Sequence, residues 1–359
     1  MAGRVTIYDV AIVGGGQAGL AAAVACQKFN LSYIVLEAND SPGGSWPYFY
    51  ESLTLFSPAA FCALPGFRFP GWPLRFPHRD EMVSYLGQYV SYFGINLVTN
   101  HRVRRVDHYD GVYRLAVEGQ KDLCARALIS ATGTFGSPSR PPLVGFEEFS
   151  GRLLHSAEYM NASTHVGESV AVVGAGNSAM QIAAELSDVA SVSLFSREAP
   201  VFIRSKYLGL PVHFWFKYLP LDRLGLRGAR NIRRPAIVDD GRYRSILQTG
   251  RVRWSRLPSV SDGVHLDSLK HDRHSLPDSV ILATGFRPDT DWLNNLGVLS
   301  ESGLPVHRSG IAQAVDTVVW VGLPGMRTRS SSMLRGVGAD ADFVVENLSN
   351  RLRDPTAGR

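Results

Sequence analysis

Near-continuous apolar runs of strand length recur along the chain, and two of them lead through glycine into helical spacing. Residues 8–13 (YDVAIV) and 169–173 (SVAVV) have the pattern of strands buried on both faces. The first is followed by GGGQAG and the helical run LAAAVACQKF. The second is followed by GAGNSA and a run with Met180, Ile182, Ala183 and Leu186 at helical spacing. Residues 80–93 place Met82, Val83, Leu86, Tyr89, Val90 and Phe93 on one face, which predicts an amphipathic helix with Asp80 as its N-cap. Residues 101–119 alternate around Asp110-Gly111, a hairpin signal. The run rich in Gly, Pro and aromatics from Ser41 reads as loop. Strands at 125–130, 279–282 and from Asp316, and a closing helix that starts near Ser331, complete the pattern, with the tail after Arg353 frayed.

The glycines give these runs a chemistry. Gly14, Gly16 and Gly19 stand as G-x-G-x-x-G between strand and helix, with Gln17 and Ala18 opening the helix. In that setting the glycines allow a tight turn, backbone approach to a pyrophosphate, and close helix–strand packing. Glu37, at the end of the next strand, suits the hydroxyls of an adenosine ribose. Gly174, Gly176, Asn177, Ser178 and Ala179 repeat the motif with alanine in the third position. Glu37 stands 23 residues after Gly14, and Arg197 stands 23 residues after Gly174. A guanidinium at that offset suits a 2′-phosphate, so the second site is expected to prefer NADPH, with NADH as the alternative.

Ala131-Thr132-Gly133 and Ala283-Thr284-Gly285 form a second long-range repeat. The expected fold class is α/β: two Rossmann-like (three-layer ββα) dinucleotide-binding domains, the first discontinuous and the second inserted into it. The expected boundaries are 1–152 and 277–359 for the first domain and 153–276 for the insertion, with the two ATG turns at the crossings.

Composition narrows the partners. A net charge of +5 over 359 residues is too mild to argue for nucleic acid, and anionic dinucleotides suffice. The three cysteines, Cys26, Cys62 and Cys124, form no CxxC pair, so reduced thiols and a cytoplasmic location are expected. No apolar run is long enough to span a membrane, and the chain enters a strand without room for a cleavable signal. No metal-ligating cluster is expected. The aromatic and arginine-rich stretch 206–240 reads as a helical excursion; contact with a partner, a membrane surface or NADPH stays open. An apolar helix face leaves a homodimer open.

With these motifs in hand, residues 149–159 (FSGRLLHSAEY) complete a resemblance to the flavin-containing monooxygenase family, in particular its short bacterial members, over nearly the whole length. Phe149, Gly151, His155 and Tyr159 match its F-x-G-x-x-x-H-x-x-x-(Y/F/W) run. GGSW at 43–46 and FPHRDEMVSYL at 76–86 match its flavin-loop and following-helix segments. The resemblance implies FAD held by residues 14–19, Glu37, Gly44, Ser45 and Trp46, with Val103, Thr132 and Gly133 beside it. It implies NADPH on residues 174–179 and Arg197, bordered by Ala283, Thr284 and Gly285. It further implies an enzyme in which NADPH reduces FAD, O₂ adds to give a C4a-(hydro)peroxide, and oxygen passes to a small sulfide, amine or ketone. Ser57 stands where larger members present an asparagine to the flavin, and His155 fixes the inter-domain crossing or takes part in the chemistry. Val321-Gly322-Leu323-Pro324 lacks the acid that many flavoproteins present to the ribityl chain. Two further readings stand beside this one: an NAD(P)H oxidase or reductase without oxygen transfer, and a non-enzymatic cofactor-binding accessory protein.

Overall fold

The computed structural model describes residues 6–219, 236–258, 263–270 and 275–353. Two mainly parallel sheets form, each built around one of the two apolar runs. In the first, β1 (Ile7–Val13) lies between β2 (Tyr33–Leu36) and β6 (Leu123–Ser130), parallel to both. β3 (Leu97–Val98) extends the sheet beyond β2, and Val318–Trp320 extends it beyond β6, again in parallel. Val10, Ala11 and Ile12 are fully buried, which is why this strand reads as a run rather than an alternation. β4 (Val103–Tyr109) and β5 (Val112–Val117) form the expected hairpin and join β6 antiparallel. Its turn residues Asp110 and Gly111 have φ of 50° and 76°, the left-handed pair that a two-residue hairpin turn requires.

Helix α1 (Gln17–Lys28) is buried nearly all round, with Leu20, Ala21, Ala22, Ala23, Ala25 and Cys26 inside. Its alanines let the C-terminal helix Leu334–Arg353 lie against it, and Lys28 pairs with Asp342 at 3.2 Å. Helix α2 (Arg79–Phe93) starts one residue earlier than the pattern suggests. Its N-cap is His78, not Asp80: the Glu81 carboxylate accepts the His78 N–H at 2.8 Å, while Asp80 pairs outward with Arg79 at 2.7 Å. Glu81 satisfies that amide from inside the first turn, so the cap moves upstream.

The second sheet is parallel throughout, in the order Val252–Arg256, Ser191–Ser196, Ser169–Val173, Ser279–Leu282, Arg152–His155. Helix α3 (Asn177–Leu186) follows Ser169–Val173. The chain enters this unit on Arg152–His155, close to the expected boundary at 153. The expected return at 277 falls before Ser279–Leu282, which pairs with Ser169–Val173 in this sheet, and we place the return after Leu282. A four-residue apolar run does not encode which of two parallel sheets receives it, so the sequence left the final strand on the wrong side of the boundary.

The first part of the 206–240 stretch forms a small hairpin, Lys206–Tyr207 against Leu210–Pro211, and the helix Val212–Tyr218. Its arginine-rich part, 220–235, and the tail after Arg353 lie outside the described residues. Among the described residues no helix is long and apolar enough to cross a membrane, and no cluster of His, Cys, Asp and Glu could hold a metal ion. Cys26, Cys62 and Cys124 are free thiols, the first two buried. Burial pushes the Cys62 thiol up to about 12 and Cys26 higher still, so neither is a poised nucleophile.

Candidate functional site

Among the described residues, both glycine turns deliver a helix with no side chain bonded to its first-turn amides. α1 and α3 begin at Gly16 and Gly176, and neither end has a capping side chain or an acidic residue in its first turn. Such an end presents N–H groups and a positive dipole to an anion, which fits a dinucleotide pyrophosphate. The turns are equally tight. Gly174 has φ of +150°, and a Cβ there would stand 2.4 Å from the Ala283 carbonyl oxygen. A Cβ at Gly19 would stand 1.8 Å from the Gly14 carbonyl oxygen. At the second turn the corresponding residue is Ala179, whose methyl is accommodated.

Around the first turn, Glu37 is buried and accepts the Gly15 N–H at 2.7 Å and the Asn39 N–H at 2.9 Å. These bonds lock its carboxylate beside the glycine turn and leave lone pairs for ribose hydroxyls. The loop at 43–46 folds over the same turn: Gly43 N–H donates to Gly15 O at 3.0 Å, and Asn39 Nδ2 donates to Gly44 O at 3.2 Å. Trp46 Nε1 reaches Gln17 Oε1 at 3.3 Å, and Gln17 Nε2 reaches Ser332 O at 2.9 Å. Ser45 precedes the short turn Trp46–Tyr48, Ala18 is buried in α1, and Val103 is buried at the start of β4. Arg197 is exposed just past Ser191–Ser196, at the carboxyl edge where α3 begins.

The two ATG turns meet at the crossing. Ser137–Pro138 and Phe286–Arg287 pair antiparallel, Thr132 Oγ1 reaches Asp289 O at 3.4 Å, and Thr284 Oγ1 donates to Ser139 O at 2.5 Å. Gly133 and Gly285 both take positive φ as the chain turns out of each strand. Phe49, Phe135 and Phe286 cluster here, with centroids 5.3–6.4 Å apart.

His155 is fully buried in this crossing, and both ring nitrogens are engaged. Nδ1 accepts the Ala157 N–H at 3.1 Å, so Nε2–H donates to Gly285 O at 3.0 Å. Burial, reinforced by Arg140, holds its pKa below the ordinary value. A neutral imidazole with no free nitrogen ties Arg152–His155 to the second ATG turn, and this geometry favours the fixing role over proton transfer. Tyr159 is buried against Tyr50, centroids 6.2 Å apart.

Ser57 is buried in the loop after the second strand, and Cys62 Sγ donates to its carbonyl at 3.2 Å. A residue not anticipated from the sequence holds this loop against the second unit. Gln181, one turn into α3, accepts the Thr54 N–H at 3.2 Å and the Tyr50 hydroxyl at 3.1 Å, and donates to Thr54 O at 2.9 Å. The Ser178 side chain also bonds Tyr50, and Glu185 bonds Ser52 and the Ala162 N–H. The helix that opens the second nucleotide motif thus grips the loop carrying Ser57. The available signal was a glutamine among Met180, Ile182 and Ala183.

His213 was missed as well. It sits on Val212–Tyr218, 3% exposed, and burial together with the nearby Arg335 lowers its pKa to about 4. The unfolded value lies near 6.5, so between these values the unfolded chain holds a proton that the folded chain rejects. Stability is therefore full above pH 6.5 and falls as the pH drops toward 4, by about 3 kcal/mol for this residue. His155 and His307, also lowered, act with the same sign. The paired carboxylates Glu81, Glu158 and Glu168 have lowered pKa values, so their loss begins at more acid pH. Melting temperature is expected to fall between pH 6.5 and 4.5, and less steeply in His213→Phe; equal slopes would contradict the assignment.

The chain resembles known oxidoreductases over most of its length. Residues 11–216 match the model of the pyridine nucleotide-disulphide oxidoreductase family. An uncharacterized CzcO-like oxidoreductase of Geobacillus kaustophilus is 30% identical over 96% of this chain and 99% of its own. The indole-3-pyruvate monooxygenase YUCCA1 of Oryza sativa subsp. japonica is 28% identical over 96% of this chain and 92% of its own. The flavin-containing monooxygenase of Stenotrophomonas maltophilia superposes with a TM-score of 0.81 at 31% identity, covering 97% of this chain and all of that one. The fold extends to OTEMO, solved with FAD and NADP, at a TM-score of 0.71 and 17% identity. Two uncapped glycine-turn helices, a carboxylate locked at the first, and the matched crossing run lead to one conclusion: the chain belongs to the pyridine nucleotide-disulphide oxidoreductase family and, within it, to the flavin-containing monooxygenases.

Proposed function

We propose that the protein is an NADPH-dependent FAD monooxygenase acting on a small sulfide, amine or ketone, with FAD on the first unit and NADPH on the second. The observation that carries this reading is the grip of Gln181 and Ser178 on the Tyr50–Thr54 segment, which joins the NADPH helix to the Ser57 loop. FAD, when bound, takes reducing equivalents from NADPH and supplies the oxygen-transfer chemistry. The protein's own residues bind, orient and exclude water. The first-turn amides of α1 and the Glu37 carboxylate hold the flavin's dinucleotide end, and the 43–46 loop closes over it. The amides of Asn177, Ser178 and Ala179 receive the NADPH pyrophosphate, and the exposed Arg197 receives the 2′-phosphate. His155 stays neutral and keeps the crossing in register. Ser57, buried on the loop that also carries Phe56 and Phe61, would offer one hydroxyl to the reacting region. Buried free thiols suit a reducing compartment, and the cytoplasm is the location we propose.

A second reading, an NADPH oxidase that passes no oxygen to an organic substrate, draws on Ser57, since a hydroxyl offers less hydrogen bonding than an amide. The discriminating test is steady-state coupling. FAD-loaded protein given NADPH and a panel of sulfides, amines and ketones is expected to consume NADPH faster with one of them and to release less than one peroxide per NADPH. A constant one-to-one peroxide yield across the panel supports the second reading.

A further inference from the structure

The hairpin at 206–211, outside both glycine turns, breaks two rules at one residue. Lys206–Tyr207 pairs with Leu210–Pro211, so Leu208 and Gly209 form a two-residue turn. Leu208 has φ of 50° and Gly209 of 76°, a left-handed pair that favours asparagine or aspartate before the glycine. Leucine gains nothing from that conformation, because its side chain makes no local hydrogen bond to offset the strain. Leu208 is also 91% exposed, more than any other large apolar side chain among the described residues.

A lone exposed leucine is common on protein surfaces, but this one heads a patch. Tyr207 is 44% exposed, Leu210 37% and Tyr218 63%. Trp215 Nε1 donates to Tyr207 O at 3.2 Å, which holds the helix Val212–Tyr218 to the hairpin, and Tyr218 lies about one turn beyond Trp215.

The charge around the patch is positive. Arg204 and Lys206 are exposed and, among the described residues, in no ion pair. Lys217 is exposed beside Tyr218, with Nζ 5.6 Å from its ring. Two acids face these cations, and both are engaged with backbone. Asp239 accepts the Gly241 and Tyr243 N–H groups at 3.0 Å and lies 3.7 Å from Arg244, and Asp240 accepts the Arg242 N–H at 3.1 Å. Arg204, Lys206 and Arg244 line, with these acids, a recess of about 370 Å³ beside the hairpin, wide enough for a phosphate headgroup.

We propose that the 206–211 hairpin docks on an anionic bilayer surface, with Tyr207, Leu208 and Leu210 entering the acyl boundary and Arg204, Lys206 and Lys217 at the headgroup phosphates. An apolar tip with a tyrosine and a basic collar matches that boundary. The leucines leave water, the phenol stays at the polar layer, and the lysine stems reach back to the phosphates. Burial of Leu208 in lipid offsets the strain of its left-handed backbone. A second copy of the chain fits less well, because a two-fold contact through the tip sets Arg204 and Lys206 against their own copies. A tip of this size gives reversible attachment. Docking of this kind is independent of the reaction proposed at the nucleotide sites.

The test sediments FAD-loaded protein with vesicles of phosphatidylcholine alone, or with about one third phosphatidylglycerol, at about 0.1 M and about 0.5 M salt. The wild type is expected to bind the anionic vesicles at low salt, and to bind at least about fivefold more weakly at the higher salt or on neutral vesicles. Leu208→Asn supplies the residue that the turn favours. Its melting temperature is therefore expected to hold or rise, while its vesicle affinity drops about tenfold or more. Lys206→Gln is expected to weaken binding to anionic vesicles about fivefold. The opposite directions expected for Leu208→Asn separate docking from folding. No wild-type binding to anionic vesicles, unchanged affinity in either variant, or a lower melting temperature in Leu208→Asn overturns the proposal. So does equal binding to both kinds of vesicle. A lipid-free dimer that Leu208→Asn disperses also overturns it, and marks the tip as an interface between copies.

Discussion

Gly19→Ala is expected to yield a protein that retains little flavin and melts well below the wild type. The added methyl carbon would stand 1.8 Å from the Gly14 carbonyl oxygen, about half an ordinary contact distance. That oxygen belongs to the turn itself, so no side chain can rotate away, and α1 must lift off the strand. Overpacking of this kind costs about 3 kcal/mol. The larger loss is geometric, because the first-turn amides move with the helix and no longer converge on one anion. The same residue type is native at the second turn, where Ala179 occupies the corresponding place. The reciprocal change, Ala179→Gly, is therefore expected to cost only the about 1 kcal/mol of a helical glycine and to leave flavin content unchanged. Flavin absorbance per protein chain and a thermal melt check both variants. Full flavin occupancy in Gly19→Ala would contradict the placement of FAD on the first turn.

Arg197→Ala is expected to raise the KM for NADPH by one to two decades while moving the KM for NADH by less than about twofold. Arg197 is exposed at the edge where α3 begins, so its contribution arises when a 2′-phosphate is present and is absent for NADH. A charge-assisted contact of this kind contributes about 1.5–3 kcal/mol. Glu198 follows immediately and carries the opposite sign, so Glu198→Gln is expected to lower the KM for NADPH modestly. Steady-state rates with both coenzymes decide it, and an equal effect of Arg197→Ala on both would contradict the role.

Much of the fold was legible because its signals are local. Residues 8–13 and 169–173 are apolar through their length, and glycine follows each, so strand, turn and helix could be read in place. Asp110-Gly111 marked its hairpin because only a few residues adopt paired left-handed conformations. The partner of 279–282 was not legible: a short apolar strand fits either parallel sheet, and long-range pairing decides which. The cap of α2 was misread for a related reason, since Asp80 and Glu81 are adjacent acids and only the backbone path shows which one turns back to the preceding amide.

The candidate site divides along the same line. Motif positions such as Gly16, Glu37 and Gly176 carry their roles in spacing. Gln181 and His213 act across the interface between the two units, Gln181 on backbone atoms of Thr54 and His213 on the rings of Phe56 and Phe61. Nothing in their own neighbourhoods along the chain names those partners. His155 was ambiguous in sequence between fixing and chemistry, and the engagement of both ring nitrogens favours fixing.

Oxygen is expected to pass from O₂ to an organic substrate while NADPH is consumed. The most direct measurement is turnover of FAD-loaded protein with NADPH under ¹⁸O₂, with the product of the best sulfide, amine or ketone analysed by mass. One labelled oxygen atom per product molecule, in step with NADPH consumed, is the expected result. NADPH consumption with every labelled atom recovered in peroxide and water would contradict it.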